Sequence, residues 1–294
     1  MIVVTTPTGA IGSQVLSNLL ESAETLRVIG RNPSHLPSNI RDRLDVVEGS
    51  HGDSAVIERA FSGARAVFWL PPPSPQAESL DAAYVDFARP ACAAFARHGI
   101  SHVVSVSALG RGTPMAGRAG LVTASLAMDD LIAASGVNHR ALVMPSFMDN
   151  MLRQVGSIRD GGEFFWPGPG DLKAPTCATQ DIADMAALLL RDPTWGGKGE
   201  QAVLGPEDLS QNDLAWIMSN VLGRPIAFRQ VAIDVFKGSL LQRGMSPAFA
   251  EGYADMMQAK AGGLDNAEPR TADNTTPTTF RQWCENVLKP AVEA

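Results

Sequence analysis

The sequence predicts an α/β fold: a doubly wound parallel sheet followed by a smaller, mostly helical C-terminal region. Three observations carry that prediction. Short apolar runs alternate with helix signals from residue 1 to about residue 145. Those runs are continuous rather than alternating, the pattern of parallel strands buried on both faces. Beyond Pro145 the alternation loosens and helix signals dominate.

The elements follow in order. MIVV (1–4), LRVIG (26–30), DVVEG (45–49), ARAVFWL (64–70), SHVVSVS (101–107) and HRALVMP (139–145) read as six strands. Helix patterns separate them at Ala10–Ser22, Ser54–Phe61, about Leu80–His98 and about Gly120–Ser135. The last of these stops at Gly136, a residue suited to a left-handed helix end. FFWPGPGDLKAP (164–175) is rich in Pro and Gly and reads as loop. TQDIADMAALLLRD (179–192) is a helix with Thr179 as its cap, and QAVLG (201–205) is a short strand. Ser210 and Asp213 stand at capping-box spacing before a helix that Gly223 closes and Pro225 stops. From Val231 onward the chain reads as helical, with loops near AGGLDNAEPR. The expected division is 1–145 as a first domain, with 176–205 returning to it, and 146–175 plus 206–294 as a second region.

Composition narrows the class. The 294 residues are 45% apolar, enough for a sizeable core. Net charge is −7, from 24 basic and 31 acidic side chains, with no dense basic run. That excludes nucleic acid as a main partner. No apolar stretch approaches the roughly 20 residues that span a bilayer, and no secretory leader pattern opens the chain. Cys92, Cys177 and Cys284 are scattered, without metal-ligand spacing. A reduced, metal-free, cytoplasmic protein is expected. The abundance of Ala, and of Arg over Lys, fits a high-GC bacterial source.

The first strand runs into TTPTGAIG. In a Rossmann turn one glycine lets the backbone approach a pyrophosphate, and a later one lets the helix pack on the strand. Gly9 and Gly12 hold those positions, and the N–H groups of Ala10 and Ile11 open the helix. The usual first glycine is replaced by Thr6, with Pro7 behind it. At the end of the second strand stands Gly30-Arg31-Asn32, with no acid to hold a ribose 2′-hydroxyl. Arg31 suits a 2′-phosphate, so NADP is expected, with NADPH favoured over NADH.

The segments TTPTGAIG, VIGRNP, VFWLPPP, HVVSVSALG and ALVMPSFMDNM, in this order, resemble the NmrA-like family of atypical short-chain dehydrogenase/reductase proteins. DIADMAALLL, VLGPEDLS, LGRPIAF and TPTTFRQWCENVLKP extend the resemblance over essentially the whole chain. It implies cofactor contacts at Thr6, Thr8, Gly9, Ala10, Ile11 and Gly12, with Arg31 at the adenosine side. It also implies contacts at Leu70, Pro71 and Pro72, at Ser107 and Ala108, and at Pro145, Ser146 and Phe147. Where many relatives carry Asp beside the adenine amine, this chain has Ser50. The family holds both reductases of quinone-like acceptors and non-catalytic dinucleotide sensors that bind a protein partner.

The chemistry is marked by a missing group. Carbonyl reductases of this superfamily protonate a developing alkoxide with Tyr-x-x-x-Lys. Here Tyr84 and Tyr253 are followed at that spacing by Ala88 and Met257. The helix before the sixth strand has no lysine; Ser125 stands about where relatives carry one. A quinone needs an acid least, because its reduced oxyanion is a weak base. An NAD(P)H-dependent oxidoreductase of a small, quinone-like or polycyclic aromatic acceptor is therefore expected, and a dinucleotide-sensing regulator is the alternative. Trp69, Phe147, Met148, Phe164, Phe165 and Trp166 are candidate walls for a flat ligand, or core. Ser107 is the candidate catalytic hydroxyl, or a strand cap. Asp129-Asp130 reads as a solvated helix face, His51 as a solvated loop residue, and His139 as structural.

Overall fold

A computed structural model describes the whole chain, Met1–Ala294. It divides into two compact units. The first comprises Met1–Ser107, Ala124–Val143 and Ile182–Gln201. The second comprises Ala108–Thr123, Met144–Asp181 and Ala202–Ala294. Residues 108–123, 176–181 and 202–205 thus group with the second unit.

The first unit is built on strands β1 (Ile2–Thr5), β2 (Leu26–Gly30), β3 (Asp45–Glu48), β4 (Ala66–Trp69), β5 (His102–Ala108) and β6 (Asn138–Met144). Two further strands, β7 (Ser146–Phe147) and β8 (Glu163–Trp166), and then β9 (Ala174–Cys177), intervene in the chain before β10 (Lys198–Ala202) completes the sheet. The order is β10-β6-β5-β4-β1-β2-β3. β1 pairs in parallel with β2 and β4, β2 with β3, and β4 with β5. This is the doubly wound parallel sheet. The chain leaves β1 toward β3 and returns at β4, so the crevice lies between β1 and β4 at their carboxyl ends.

Helices α1 (Ala10–Leu20), α2 (Ser38–Arg41), α3 (Ser54–Phe61), α4 (Phe87–His98), α5 (Leu121–Ala134) and, after α6 (Val155–Gly161), α7 (Thr179–Arg191) connect these strands. Apolar periodicity gives α1, α3 and α4 a buried face, with Val15, Ile57 and Phe95 among its residues, whereas the short α2 buries none. Phe61 of α3 stacks on Phe95 of α4 at 5.5 Å, both fully buried with Val67, Trp69 and Ile132. Each such side chain contributes about 1.5–3 kcal/mol of burial. The helix expected over 80–98 opens with a π turn at Ala82–Asp86. Pro90, inside α4, has no N–H for the i−4 bond and crowds the carbonyl before it, which accounts for the widened turn.

The second unit contains a three-stranded sheet ordered β11-β9-β7, with β11 at Asp208–Leu209, and a pair, β12 (Ala227–Gln230) with β8. It also contains helices α8 (Gln211–Leu222), α9 (Ile233–Gln242), α10 (Pro247–Ala261), α11 (Phe280–Trp283) and α12 (Lys289–Glu293). Its core holds Ile158, Phe164, Met218, Phe280, Trp283 and Leu288. The capping box on α8 is fully formed: Ser210 Oγ accepts from Asp213 N–H at 3.1 Å, and Asp213 accepts from Ser210 N–H at 2.9 Å. One expectation is corrected here. The start of the 164–175 loop is strand, because Phe164–Trp166 pair in register with Phe228–Gln230, a partner distant in sequence. No helix is long and apolar enough to cross a membrane.

Candidate active site

The turn after β1 is shaped by backbone sterics. Thr6 has φ of 49°, the left-handed region that favours glycine. The first glycine of the usual motif is therefore missing in identity but not in conformation. A β-branched residue there carries strain of about 1–3 kcal/mol. The Thr6 carbonyl explains the other two positions. It accepts from Gly9 N–H at 3.0 Å. A Cβ on Gly12 would sit 2.1 Å from it, closer than any real contact. Thr5 ties the turn to β4: its Oγ1 donates to the Phe68 carbonyl at 3.0 Å and accepts from Leu70 N–H at 2.9 Å.

Two features of this turn fit a pyrophosphate. Helix α1 begins at Gly9 with no side-chain cap, leaving first-turn N–H groups for an anion. Thr6 Oγ1 is buried without a hydrogen-bond partner, a donor a phosphate oxygen would satisfy. Beside them lies a cavity of about 310 Å³ lined by Pro7, Thr8, Gly30, Arg31, Asn32 and Pro33. Arg31 is exposed there and forms no ion pair. Arg31 is the cation at its rim. Ser50 lies outside the lining; its Oγ accepts from Gly52 N–H at 3.3 Å and closes its own loop.

His51 is not the solvated loop residue expected. It is 5% exposed, with Trp69 and Phe87 edge-on at 5.1 and 4.8 Å. Burial pushes its pKa down to about 4, so it is neutral, and its Nε2 meets the Leu70 carbonyl at 3.0 Å. Trp69 is fully buried in the same core and lines neither cavity.

At the carboxyl end of β5 the structure joins residues that the sequence left apart. Ser105 and Ser107 share one face of the strand by its two-residue period, and Ser125 and Asp129 share one face of α5. Ser105 Oγ donates to Asp129 Oδ1 at 2.9 Å. Ser107 Oγ donates to Asp129 Oδ2 and lies 3.2 Å from Ser125 Oγ. His139 Nε2, from the adjoining β6, is 2.8 Å from Ser105 Oγ and 3.9 Å from Asp129 Oδ1. All five are buried. Asp129 is 3% exposed, which overturns its reading as a solvated residue. Neither tyrosine belongs to this cluster. Tyr84 lies in the π turn, and Tyr253 accepts from Arg153 at 3.1 Å in the second unit.

The second unit has a cavity of its own, about 70 Å³, room for about two waters. Phe147, Met148, Met151, Trp166, Leu214 and Phe280 give it apolar walls. Lys260 also lines it, ion-paired with buried Asp265 at 2.5 Å. Asp265 Oδ1 and Gln211 Oε1 are buried acceptors without partners. The aromatic candidates thus separate. Phe147, Met148 and Trp166 reach this cavity, Phe164 is sealed in the core, and Phe165 faces solvent. Alternation along β8 produces that split. Pro145 is buried between β6 and β7. Burial raises the Cys92 and Cys284 thiols to about 12 and Cys177 well above its ordinary value, which disfavours the thiolate.

Comparison with known proteins agrees with this geometry. The model of the NAD(P)H-binding family matches residues 7–193, and the chain belongs to that family, within the NmrA-like, atypical short-chain dehydrogenase/reductase superfamily. The (4-alkanoyl-5-oxo-2,5-dihydrofuran-3-yl)methyl phosphate reductase of Streptomyces griseus is 29% identical over 291 residues, 96% of each chain. An NAD(P)H azoreductase of Xenophilus azovorans is 25% identical over 258 residues, 87% of this chain and 86% of that one. A solved NADPH-dependent quinone oxidoreductase of Escherichia coli shares the fold, with a TM-score of 0.76 at 20% identity over 96% of this chain and 98% of that one.

Proposed function

We propose that the protein is an NADPH-preferring oxidoreductase whose acceptor is a quinone-like or polycyclic aromatic compound. Membership of the NAD(P)H-binding family and the two reductases among its relatives support the reaction class. One observation carries the acceptor class. The helix that would bear a Tyr/Lys acid presents Ser125 and Asp129 instead, hydrogen-bonded to Ser107 rather than backed by a lysine.

The bound dinucleotide supplies the hydride. The chain's own contribution is placement. The α1 N-terminus and Thr6 hold the pyrophosphate, Arg31 the 2′-phosphate, and the backbone of Leu70, which leads into Pro71 and Pro72, is fixed through Thr5 and His51. Reduction of a quinone adds one hydride and one proton, and the weakly basic product anion takes that proton readily from a hydroxyl or water. Positioning and exclusion of water then supply most of the catalysis. Phe147, Met148 and Trp166, on the apolar cavity of the second unit, are the proposed acceptor contacts.

The missing Tyr/Lys pair also suits a dinucleotide-sensing regulator that binds a protein partner. Purified protein with NADPH and a panel of quinones separates the two. Loss of nicotinamide absorbance with at least one acceptor is expected. Tight NADPH binding with no turnover across the panel identifies the regulator.

A further inference from the structure

We infer that Asp129 and His139, acting through Ser105 and Ser107, form a buried proton relay that widens the range of acceptors beyond quinones. This rests on the reductase reading above. The hydrogen bonds run toward one carboxylate. With its proton on Nε2, His139 donates to Ser105 Oγ at 2.8 Å, and Ser105 donates to Asp129 Oδ1 at 2.9 Å. From the other side Ser107 donates to Asp129 Oδ2. Ser107 stands at the carboxyl end of β5, the edge at which open α/β sheets bind ligands. His139, Ser105 and Asp129 lie deeper, each under about a tenth exposed. A buried network of this kind is expensive unless every member is satisfied, and an apolar set of equal volume would serve packing as well.

The relay balances as follows. Before turnover it carries one proton from solvent, shared between the Asp129 carboxylate and the His139 imidazole. Hydride transfer places an electron pair on the acceptor, whose oxygen or nitrogen anion takes the Ser107 Oγ proton. Asp129 returns a proton to Ser107 in the same event. A carboxylate beside a neutral imidazole remains, and a second proton from solvent, taken up at His139 and passed on through Ser105, restores the starting state. No further oxidant or reductant is involved. Ser107 is the group that meets the acceptor; Asp129, Ser105 and His139 are positioning residues acting through it.

The relay matters only where the reduced acceptor is a strong base. A set of acceptors graded by the basicity of their reduced anions, from electron-poor quinones to azo compounds and enones, tests it. For the unaltered protein the solvent deuterium isotope effect on kcat is expected to rise along the series, from near unity to about 2 or more. Asp129→Asn is expected to lower kcat about 100-fold or more at the basic end and less than about 3-fold at the quinone end. NADPH affinity, measured by titration, stays unchanged. His139→Gln repeats the pattern more weakly. A flat isotope effect, or a loss equal for every acceptor, overturns the relay while leaving the reductase reading intact. No turnover with any acceptor by the unaltered protein overturns both. The isotope series needs no variant, so misfolding of Asp129→Asn leaves the test standing.

Discussion

At the scale of single residues, the proposed preference for NADPH rests on Arg31. Its guanidinium sits at the rim of the cavity beside the β1–α1 turn, without an ion-pair partner. A charge-assisted bond to a 2′-phosphate contributes about 1.5–3 kcal/mol. Arg31→Ala should therefore raise the KM for NADPH about 10- to 100-fold and leave that for NADH nearly unchanged. Equal effects on both would remove Arg31 from the site. His51 makes a second prediction. Its folded pKa of about 4 lies below the ordinary 6.5, so the unfolded chain takes up the proton first. The stabilisation is complete above about pH 6.5 and is lost as pH falls toward 4, about 3 kcal/mol in all. Urea midpoints measured from pH 7 to pH 4 should fall less steeply for His51→Gln. Parallel curves would mean that His51 is not buried neutral. Residues were unevenly legible. Arg31, Gly9 and Gly12 could be placed because their roles follow from position in a strand–turn–helix unit. His51 could not, because burial against Trp69 and Phe87 arises from contacts 18 and 36 residues away in sequence.

At the scale of elements, strand–helix alternation over residues 1–145 was readable because buried parallel strands are unbroken apolar runs. The β8–β12 pair was not. FFWPGP has the composition of a loop, and its partner AFRQ lies more than 60 residues on. The Asp129 cluster shows the same limit from another side. Spacings of two on β5 and four on α5 were visible, yet the facing of these two elements is tertiary information. The turn itself yields a sharp test. Gly12→Ala forces a methyl carbon to within 2.1 Å of the Thr6 carbonyl, so α1 must back away from β1. A loss of about 3 kcal/mol in stability and of measurable NADPH binding is expected. A variant with unchanged affinity would show that α1 does not seat the pyrophosphate.

At the scale of the whole molecule, the chain builds two units of different character. The first supplies a cofactor turn, an unpaired cation and a buried polar cluster at the end of β5. The second supplies an apolar cavity edged by Phe147, Met148 and Trp166. Neither contains the tyrosine and lysine of an ordinary carbonyl reductase in working positions. The proposed quinone-like acceptor rests on that absence rather than on any single motif. The most direct measurement is steady-state NADPH consumption by the purified protein with an electron-poor quinone. The account predicts saturable turnover, with one hydroquinone formed for each NADPH oxidised. Binding of NADPH without consumption, at any quinone concentration, would contradict it.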